Sequence, residues 1–143
     1  MSYDSNDISS AALCTWKEAR GEGVDGMRAV LHCIVNRVGA PGFAHTLHDV
    51  IYGKNQFTSM SVPSDPEFNL DPTNDDDDDP AFIWSEAQRL ATEVLNGGDI
   101  DITLAAHYYA NEAHVGDGWY RKNVIDNPEH PVTVVLGNHT FRK

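Results

Sequence analysis

Cations and long apolar runs are both scarce in this sequence. It contains 10 lysines and arginines against 22 aspartates and glutamates, which gives a formal net charge of −12 at pH 7. Phosphate groups repel such a chain, so a nucleic-acid partner and an anionic membrane surface are both disfavoured. No apolar run approaches the roughly 18 residues that a membrane-spanning helix needs. Substrate recognition must therefore depend on a shaped groove rather than on long-range attraction.

A secretory signal is also missing, and cysteines are few. Residues 1–16 show no basic segment followed by an apolar one, so we expect synthesis in the cytoplasm without a signal peptide. The two cysteines are Cys14 and Cys33. They could face each other if the flanking helices are antiparallel, which makes a disulfide conceivable. Two buried free thiols are the preferred interpretation.

The length of 143 residues and the hydrophobic fraction of 41% fit one globular domain over residues 1–143. N-capping side chains near residues 5–7 predict a first helix that runs towards Arg20 and is ended by Gly21. The second predicted helix covers residues 26–38, with Asp25 as its N-cap. It is apolar on nearly every face and therefore reads as the central buried helix.

Two further helices and a small β element complete the prediction. Thr46 begins a short third helix, and residues 81–96 form a fourth, started by the Asp-Pro pair at 79–80. Residues 54–79, between the third and fourth helices, are predicted to form a long loop that is acidic over about residues 61–79. Extended structure is expected at 101–103, 105–109 and 131–141, with a loop over 113–128. The predicted class is α+β and mostly helical.

Glu18 is the residue that suggests chemistry. It lies at the end of one apolar helix and beside the central one, where loss of water favours a protonated carboxyl group. A general acid that works near neutral pH needs such a position. The alternative is that Glu18 merely pairs with Arg20 or Arg37 on a helix surface.

The sequence around Glu18 resembles a known family. Residues 18–22 read Glu-Ala-Arg-Gly-Glu, and Gly26, Ala-Val at 29–30 and Asn-Arg-Val at 36–38 follow. This pattern is similar to the signature of the SleB/CwlJ-type cell wall hydrolases, the spore cortex-lytic group that also occurs in bacteriophages.

Four more blocks extend the resemblance over roughly residues 12–141. Asp-Val-Ile-Tyr at 49–52, followed by Gln-Phe-Thr at 56–58, is similar to the second block of the family. Ala87, Ala91 and Leu-Asn-Gly at 95–97 resemble the third. The aromatic block is residues 105–111, with Trp119 downstream, and the closing Gly-x-His-x-Phe element is residues 137–141.

The resemblance implies a lysozyme-like single domain that cleaves the peptidoglycan strand between N-acetylmuramic acid and N-acetylglucosamine. Glu18 corresponds to the essential acid of the family. A lytic transglycosylase needs only this carboxyl group, whereas a hydrolytic muramidase uses a second one. Glu22, Asp25 and Glu112 are the candidates for that role. Because none forms an evident pair with Glu18, the transglycosylase is favoured.

Aromatic and amide side chains provide the candidate substrate groove. Aromatic rings stack on sugar faces and amides bind hydroxyl groups, so Gln56, Tyr108, Tyr109, Asn111 and Trp119 are the predicted contacts. The alternative for each is ordinary packing, which is the preferred role for Trp16 and Trp84. His139 is expected to hydrogen-bond within the fold.

Three other expectations concern competing activities and setting. A zinc amidase is disfavoured because no His-Glu-x-x-His motif occurs, and His45 and His48 are read as surface residues; we expect no metal and no cofactor. A wall-binding module without catalysis is the alternative from a different class. We expect the chain to be a monomer and peptidoglycan to be its partner. The preferred biological setting is a phage endolysin that is released through a holin.

Overall fold

The computed structural model describes residues 2–73 and 81–143. Within these ranges the chain forms helices and one small antiparallel sheet, which confirms the predicted α+β class. The helices are α1 (Ser5–Ala19), α2 (Gly23–Arg37), α3 (Leu47–Tyr52), α4 (Thr58–Ser61) and α5 (Ala81–Leu95), and the strands are β1 (Tyr108–Ala110), β2 (Val132–Leu136) and β3 (His139–Arg142). The aspartate run at 75–79 and the predicted helix start at 79–80 lie outside the described residues. None of the described helices is both long and apolar enough to span a membrane.

Helix α1 begins with a reciprocal cap. The Asp7 backbone N–H donates to Asp4 Oδ1 at 2.8 Å, and the Asp4 N–H donates to Asp7 Oδ2 at 3.0 Å. This capping box satisfies two backbone donors that the first turn leaves free. The cap lies one residue before the predicted region. The helix ends at Ala19, and a 3₁₀ turn (Arg20–Glu22) connects it to α2.

The predicted start of α2 at Asp25 is wrong. The helix begins at Gly23, and Glu22 occupies the N-cap position without a side-chain hydrogen bond. Gly23 has φ 79°, a left-handed conformation that favours glycine, and this lets the 3₁₀ turn pass directly into the helix. Asp25 lies inside the first turn, where its Oδ1 accepts a hydrogen bond from Arg28 Nη1 at 3.1 Å.

Helix α2 is the central helix, as predicted. One side of it packs into the helical core with α1 and α5 through Met27, Val30, Leu31 and Ile34. Its other side, through Ala29 and Cys33, packs against Phe141 of the sheet. Cys14 and Cys33 are therefore buried in different clusters, and both are free thiols. This confirms the preferred interpretation of the two cysteines.

The sheet has the strand order β1-β3-β2, and Tyr109 pairs with Phe141. Residues 131–141 are extended as predicted, but they form two strands rather than one, with Gly137 at φ 58° in the tight turn between β2 and β3. The prediction of extended structure at 101–103 is wrong. Those residues form a turn because Asp101 Oδ1 accepts hydrogen bonds from the Thr103 N–H and hydroxyl at 2.8 and 2.6 Å.

The remaining helix predictions hold. Thr46 caps α3 by accepting a hydrogen bond from the Asp49 N–H at 3.2 Å, and α5 lies within one residue of its predicted end. The sequence did not indicate α4 in the loop after α3, nor the helical turn Arg121–Ile125 within the predicted loop at 113–128. Trp16 is buried and packs edge-to-face on Trp84, with ring centroids 6.4 Å apart, which confirms their packing role.

Candidate active site

A cleft of about 810 Å³ lies where the ends of α1 and α2 meet β1 and the loops around them. The connection from α2 to α3, the loop between α3 and α4, and the segment after β1 form its other walls. Its lining consists of Glu18, Arg37, Gly42, Phe43, Asn55, Gln56, Phe57, Tyr108, Tyr109, Trp119 and Tyr120. The lining is thus mainly aromatic and amide, with one carboxyl group and one guanidinium group among the described residues.

Glu18 lies in the last turn of α1 and is half-buried. Both of its carboxylate oxygens accept hydrogen bonds. The Tyr109 hydroxyl donates to Oε1 at 2.9 Å, and the Ser59 hydroxyl donates to Oε2 at 2.8 Å. Two donors from separate elements therefore fix the orientation of the carboxyl group within the cleft.

Ser59 is itself held in place by the neighbour of Glu18. The Lys17 Nζ donates to the backbone carbonyl of Ser59 at 3.1 Å and to that of Phe68 at 2.8 Å. Lys17 is only 8% exposed, and this burial lowers the pKa of its ammonium group. The lysine thus secures α4 and the following loop against the end of α1.

Tyr109 is fixed by the sheet. Its ring stacks on Phe141, with centroids 5.9 Å apart, and contacts His139 at 5.4 Å. Burial raises the pKa of the Tyr109 hydroxyl well above its ordinary range, and the negative charge of Glu18 raises it further. The hydroxyl therefore keeps its proton at neutral pH and remains a hydrogen-bond donor to Glu18.

Arg37 forms the cationic part of the cleft wall. Its Nε donates to the backbone carbonyl of His107 at 2.6 Å. The rings of Phe43 and Phe57 lie 5.3 and 5.0 Å from its central carbon, and the residue is 9% exposed. The guanidinium group thus contacts two aromatic rings and one backbone carbonyl at the end of α2.

Aromatic side chains form the outer part of the cleft. Trp119 is 67% exposed although it is a large apolar residue. Tyr108 is half-buried and contacts the rings of Phe43 and His130, with centroids 5.6 and 4.7 Å away. Exposed aromatic rings beside amide groups are typical of sites that bind sugars, because a ring can cover the apolar face of a pyranose.

The structure brings most of the predicted groove residues together. Gln56, Tyr108, Tyr109 and Trp119 line the same cleft as Glu18, whereas Asn111 does not line it. The role of each in binding stays a prediction. His139 packs by ring contacts on Tyr109 and Phe141.

The candidate second carboxylates do not line the cleft. Glu112 forms a two-point ion pair with Arg142, with oxygen–nitrogen distances of 2.6 and 3.0 Å. Asp25 is exposed and bound to Arg28. Glu22 lies in the 3₁₀ turn after α1. Its side chain reaches Gly137 in the hairpin turn, where Oε2 lies 3.2 Å from the position that a Cβ would take on that glycine.

Histidines of the described residues meet acidic groups only in small sets, such as His32, whose Nε2 lies 2.6 Å from Asp99 Oδ2. Among residues 2–73 and 81–143, no three His, Cys, Asp or Glu side chains are arranged to hold a metal ion. His45 and His48 are both exposed, and His48 Nδ1 lies 3.3 Å from the neighbouring Asp49 carboxylate. The ring of His107 stacks on Phe43 at 5.9 Å.

Several residues of the site were not predicted from the sequence. Arg37 stands in the Asn-Arg-Val segment used for the resemblance, but nothing in that segment indicates that its side chain reaches the cleft. Ser59 carries no recognisable signal because it is 41 residues from its partner Glu18. The other unpredicted lining residues are Gly42, Phe43, Asn55, Phe57 and Tyr120.

Comparisons with known proteins point to one family. The profile of a family described as cell wall hydrolase matches residues 21–142, which begins three positions after Glu18. A spore cortex-lytic enzyme of Oceanobacillus iheyensis is 32% identical over 141 residues, and one of Halalkalibacterium halodurans is 31% identical over 117 residues. These matches cover 99% and 82% of this chain but only 43% and 31% of the two relatives. The chain thus spans less than half of either protein.

Two solved structures share the fold. The catalytic domain of the germination-specific lytic transglycosylase SleB from Bacillus anthracis superposes with a TM-score of 0.71 at 29% identity, covering 99% of this chain and 97% of that one. The catalytic domain of the Bacillus cereus SleB protein has the same TM-score and identity, with 92% of that chain covered.

Proposed function

The chain belongs to the cell wall hydrolase family, and we propose that it cleaves the peptidoglycan glycan strand between N-acetylmuramic acid and N-acetylglucosamine as a lytic transglycosylase. The similarity to a lytic transglycosylase domain over almost its whole length supports the reaction type. The relatives named as spore cortex-lytic enzymes support peptidoglycan as the substrate.

One observation carries the assignment of Glu18 as the acid. Among the described residues, Glu18 provides the carboxyl group that lines the cleft, and both of its oxygens accept hydrogen bonds. Cleavage of a glycosidic bond requires a positioned acid to protonate the leaving oxygen. The aromatic cleft around Glu18 provides room and stacking surface for the sugars on either side of that bond.

The reaction can proceed with this one carboxyl group. Protonated Glu18 gives its proton to the glycosidic oxygen as the bond from that oxygen to C1 of the muramic residue breaks. Glu18, now ionised, accepts the proton of the C6 hydroxyl of the same residue while that oxygen bonds to C1. The products are a 1,6-anhydro sugar end and a free 4-hydroxyl on the other sugar. Water is not consumed.

Tyr109 and Ser59 support both states of Glu18. A hydroxyl group can donate or accept, so the pair can adapt to the protonated acid. After proton transfer both hydroxyls donate to the carboxylate, which stabilises the charge that must take the next proton. The positions of Glu22, Asp25 and Glu112 outside the cleft lining favour this mechanism over a muramidase with two carboxylates.

The decisive experiment is digestion of purified peptidoglycan by the unaltered chain and by Glu18→Gln, followed by mass spectrometry of the released muropeptides. We expect anhydromuramic ends with the unaltered chain and none with the variant. Glu22→Gln is the matched control, because it removes the other glutamate of the same segment and should leave cleavage intact. Reducing muramic ends would indicate a hydrolytic muramidase instead.

Two other outcomes would refute the assignment. Glycan cleavage that persists in Glu18→Gln would refute the role of Glu18. If the unaltered chain binds glycan strands but cuts none, it is a wall-binding module.

Adding a chelator to the same digest tests the zinc amidase alternative. A zinc amidase would release stem peptides, and the chelator would abolish that release.

The setting of the activity is a separate proposal. We propose that the chain acts as a phage endolysin that is made in the host cytoplasm and reaches the wall after holin-type release. No contact in the cleft bears on this, so it needs its own test. Expression in bacteria with and without a holin should lyse the cells only when both proteins are present. Lysis without the holin would contradict it.

A further inference from the structure

We infer that Arg37 binds a carboxylate group of the glycan substrate inside the cleft. The inference rests on the proposed function, because it takes the ligand of the cleft to be a peptidoglycan strand. It goes beyond that function by assigning a residue that determines which sugar occupies which side of the scissile bond.

The first observation is that Arg37 has no anionic partner among the described residues. In the part of the chain that the structure describes, no carboxylate oxygen lies within 4.0 Å of its nitrogens. Every other arginine has such a partner; the pairs are Arg20–Glu67, Arg28–Asp25, Arg89–Glu86, Arg121–Asp117 and Arg142–Glu112. In a chain of net charge −12, an arginine that meets no acid is unusual.

The second observation is how the guanidinium group is held. Its Nε is used by the His107 carbonyl, and the rings of Phe43 and Phe57 lie beside it. The Cys33 thiol is a further polar neighbour. The two terminal nitrogens donate to no oxygen of the described residues, although the side chain lines the cleft. A guanidinium held in this way is preorganised to bind the two oxygens of a carboxylate.

The third observation concerns charge within the cleft. Arg37 is the cation and Glu18 the anion among the described lining residues. The strongly negative protein repels an anionic ligand, and the Glu18 carboxyl group offers it no opposite charge. A carboxylate-bearing substrate can therefore lie in this cleft only if its charged group is directed to Arg37 and away from Glu18.

This arrangement would allow the enzyme to distinguish alternating sugars. In a peptidoglycan strand, muramic acid carries a lactyl group with a carboxyl function and N-acetylglucosamine carries none. A cation at a fixed distance from the acid thus sets the register of the strand, so that the bond on the correct side of muramic acid reaches Glu18. The carboxylate can belong to the lactyl group of a bare strand or to an acidic residue of the stem peptide.

The test compares ligands that differ only in this charge. Glu18→Gln, which binds without cleaving, is titrated calorimetrically with bare glycan strands and with strands that carry stem peptides. Each is also used after carbodiimide amidation, which converts carboxylates into neutral amides. Loss of a charge-assisted contact should weaken the Kd by about tenfold or more. An effect on bare strands identifies the lactyl carboxylate, and an effect only on peptide-bearing strands identifies the stem peptide.

The variant Arg37→Gln in the same background completes the test, with Arg37→Lys as the matched variant that keeps the charge. Amidation should leave the Kd of Arg37→Gln unchanged and should weaken that of Arg37→Lys by an intermediate factor. Because the ligand comparison uses a chain with its native Arg37, it remains informative if a variant does not fold. If amidation of neither ligand changes the Kd by more than about twofold, the inference is wrong.

The failures of the two proposals are distinguishable. Cleavage of strands by the unaltered chain that depends on Glu18 but is indifferent to amidation would overturn the role of Arg37 alone. Binding that depends on the carboxylate without any cleavage would overturn the proposed activity and leave the anion site.

Discussion

Lys17 is bound to the backbone of Ser59, the residue whose hydroxyl group orients Glu18. Lys17 Nζ lies 3.1 Å from the Ser59 carbonyl oxygen, and Ser59 Oγ lies 2.8 Å from Glu18 Oε2. Two successive side chains of α1 thus hold α4 at two points, one through the backbone and one through the hydroxyl. A shift of α4 by a fraction of an ångström would change the direction of the carboxyl group, and catalysis is sensitive to such displacements.

Replacing the buried lysine tests this arrangement. Lys17→Met keeps the apolar stem but removes the donor to the Ser59 and Phe68 carbonyls, so we expect kcat to fall by about tenfold while KM stays unchanged. Steady-state rates on peptidoglycan strands provide the measurement. Lys122→Met, which changes an exposed lysine, is the control and should leave both constants unchanged. A rise in KM with kcat unchanged would contradict the positioning role of Lys17.

The hydroxyl groups of Tyr109 and Ser59, which both donate to Glu18, should act as a unit. Tyr109→Phe removes the 2.9 Å hydrogen bond to Oε1 but keeps the ring that packs on Phe141, so we expect kcat to fall about 10- to 100-fold with little change in stability. Ser59→Ala should have a similar or smaller effect. Because both act through one carboxyl group, the double variant should lose less activity than the product of the single losses.

The matched control removes a hydroxyl that belongs to no residue of the cleft lining. Tyr52→Phe deletes a 3.1 Å hydrogen bond to Ser10 and should leave turnover intact. Rates measured for the four combinations of Tyr109 and Ser59 form the double-mutant cycle. If the activity loss of the double variant equals the product of the two single losses, the hydroxyl groups act independently.

The helical part of the fold could be predicted because its signals are local. Apolar periodicity and the Thr46 cap sufficed for α3 and α5, and the uniformly apolar sequence of α2 indicated a helix buried on two sides. The start of α2 could not be found in this way because it has no side-chain cap. At 101–103 the sequence looks extended, but the Asp101 carboxylate binds backbone N–H groups and closes a turn.

The site could be predicted only where a motif marks it. Glu18 and Tyr109 belong to segments that resemble the family, and the structure brings them within hydrogen-bond distance across 91 residues of sequence. Ser59 and Phe43 belong to no such segment. Their place in the site depends on how α4 and the loop after α2 pack on α1 and β1, and no spacing in the sequence encodes that packing.

Two tryptophans should respond differently to the same substitution. Trp119 is 67% exposed on the cleft, so Trp119→Ala should raise KM for glycan strands about tenfold and leave the thermal midpoint unchanged. Trp16 is 1% exposed in the core, so Trp16→Ala should lower the free energy of unfolding by about 3–5 kcal/mol. Kinetics and thermal unfolding of both variants provide the measurements. An unchanged KM in Trp119→Ala would remove Trp119 from the substrate groove.

Acid should weaken the fold partly through Asp101. Burial alone would raise the pKa of this carboxyl group, but hydrogen bonds from Thr103, Asn36 and Ala105 outweigh it, and the pKa lies below its ordinary value of 3.8. A folded-state pKa below the unfolded one means that the ionised group stabilises the fold above the unfolded value. That contribution is lost as the pH falls below 3.8 and through the folded-state pKa.

The variant Asp101→Asn cannot ionise and should lack this dependence. At pH 7 we expect it to be less stable than the unaltered chain by roughly 1–2 kcal/mol, because the amide makes weaker hydrogen bonds than the carboxylate. The difference should narrow as the pH is lowered from about 5 to about 2, since only the unaltered chain loses stability at this position. Urea unfolding at several pH values measures both free energies. A difference that stays constant over that range would show that Asp101 stabilises the turn by shape alone and not by its charge.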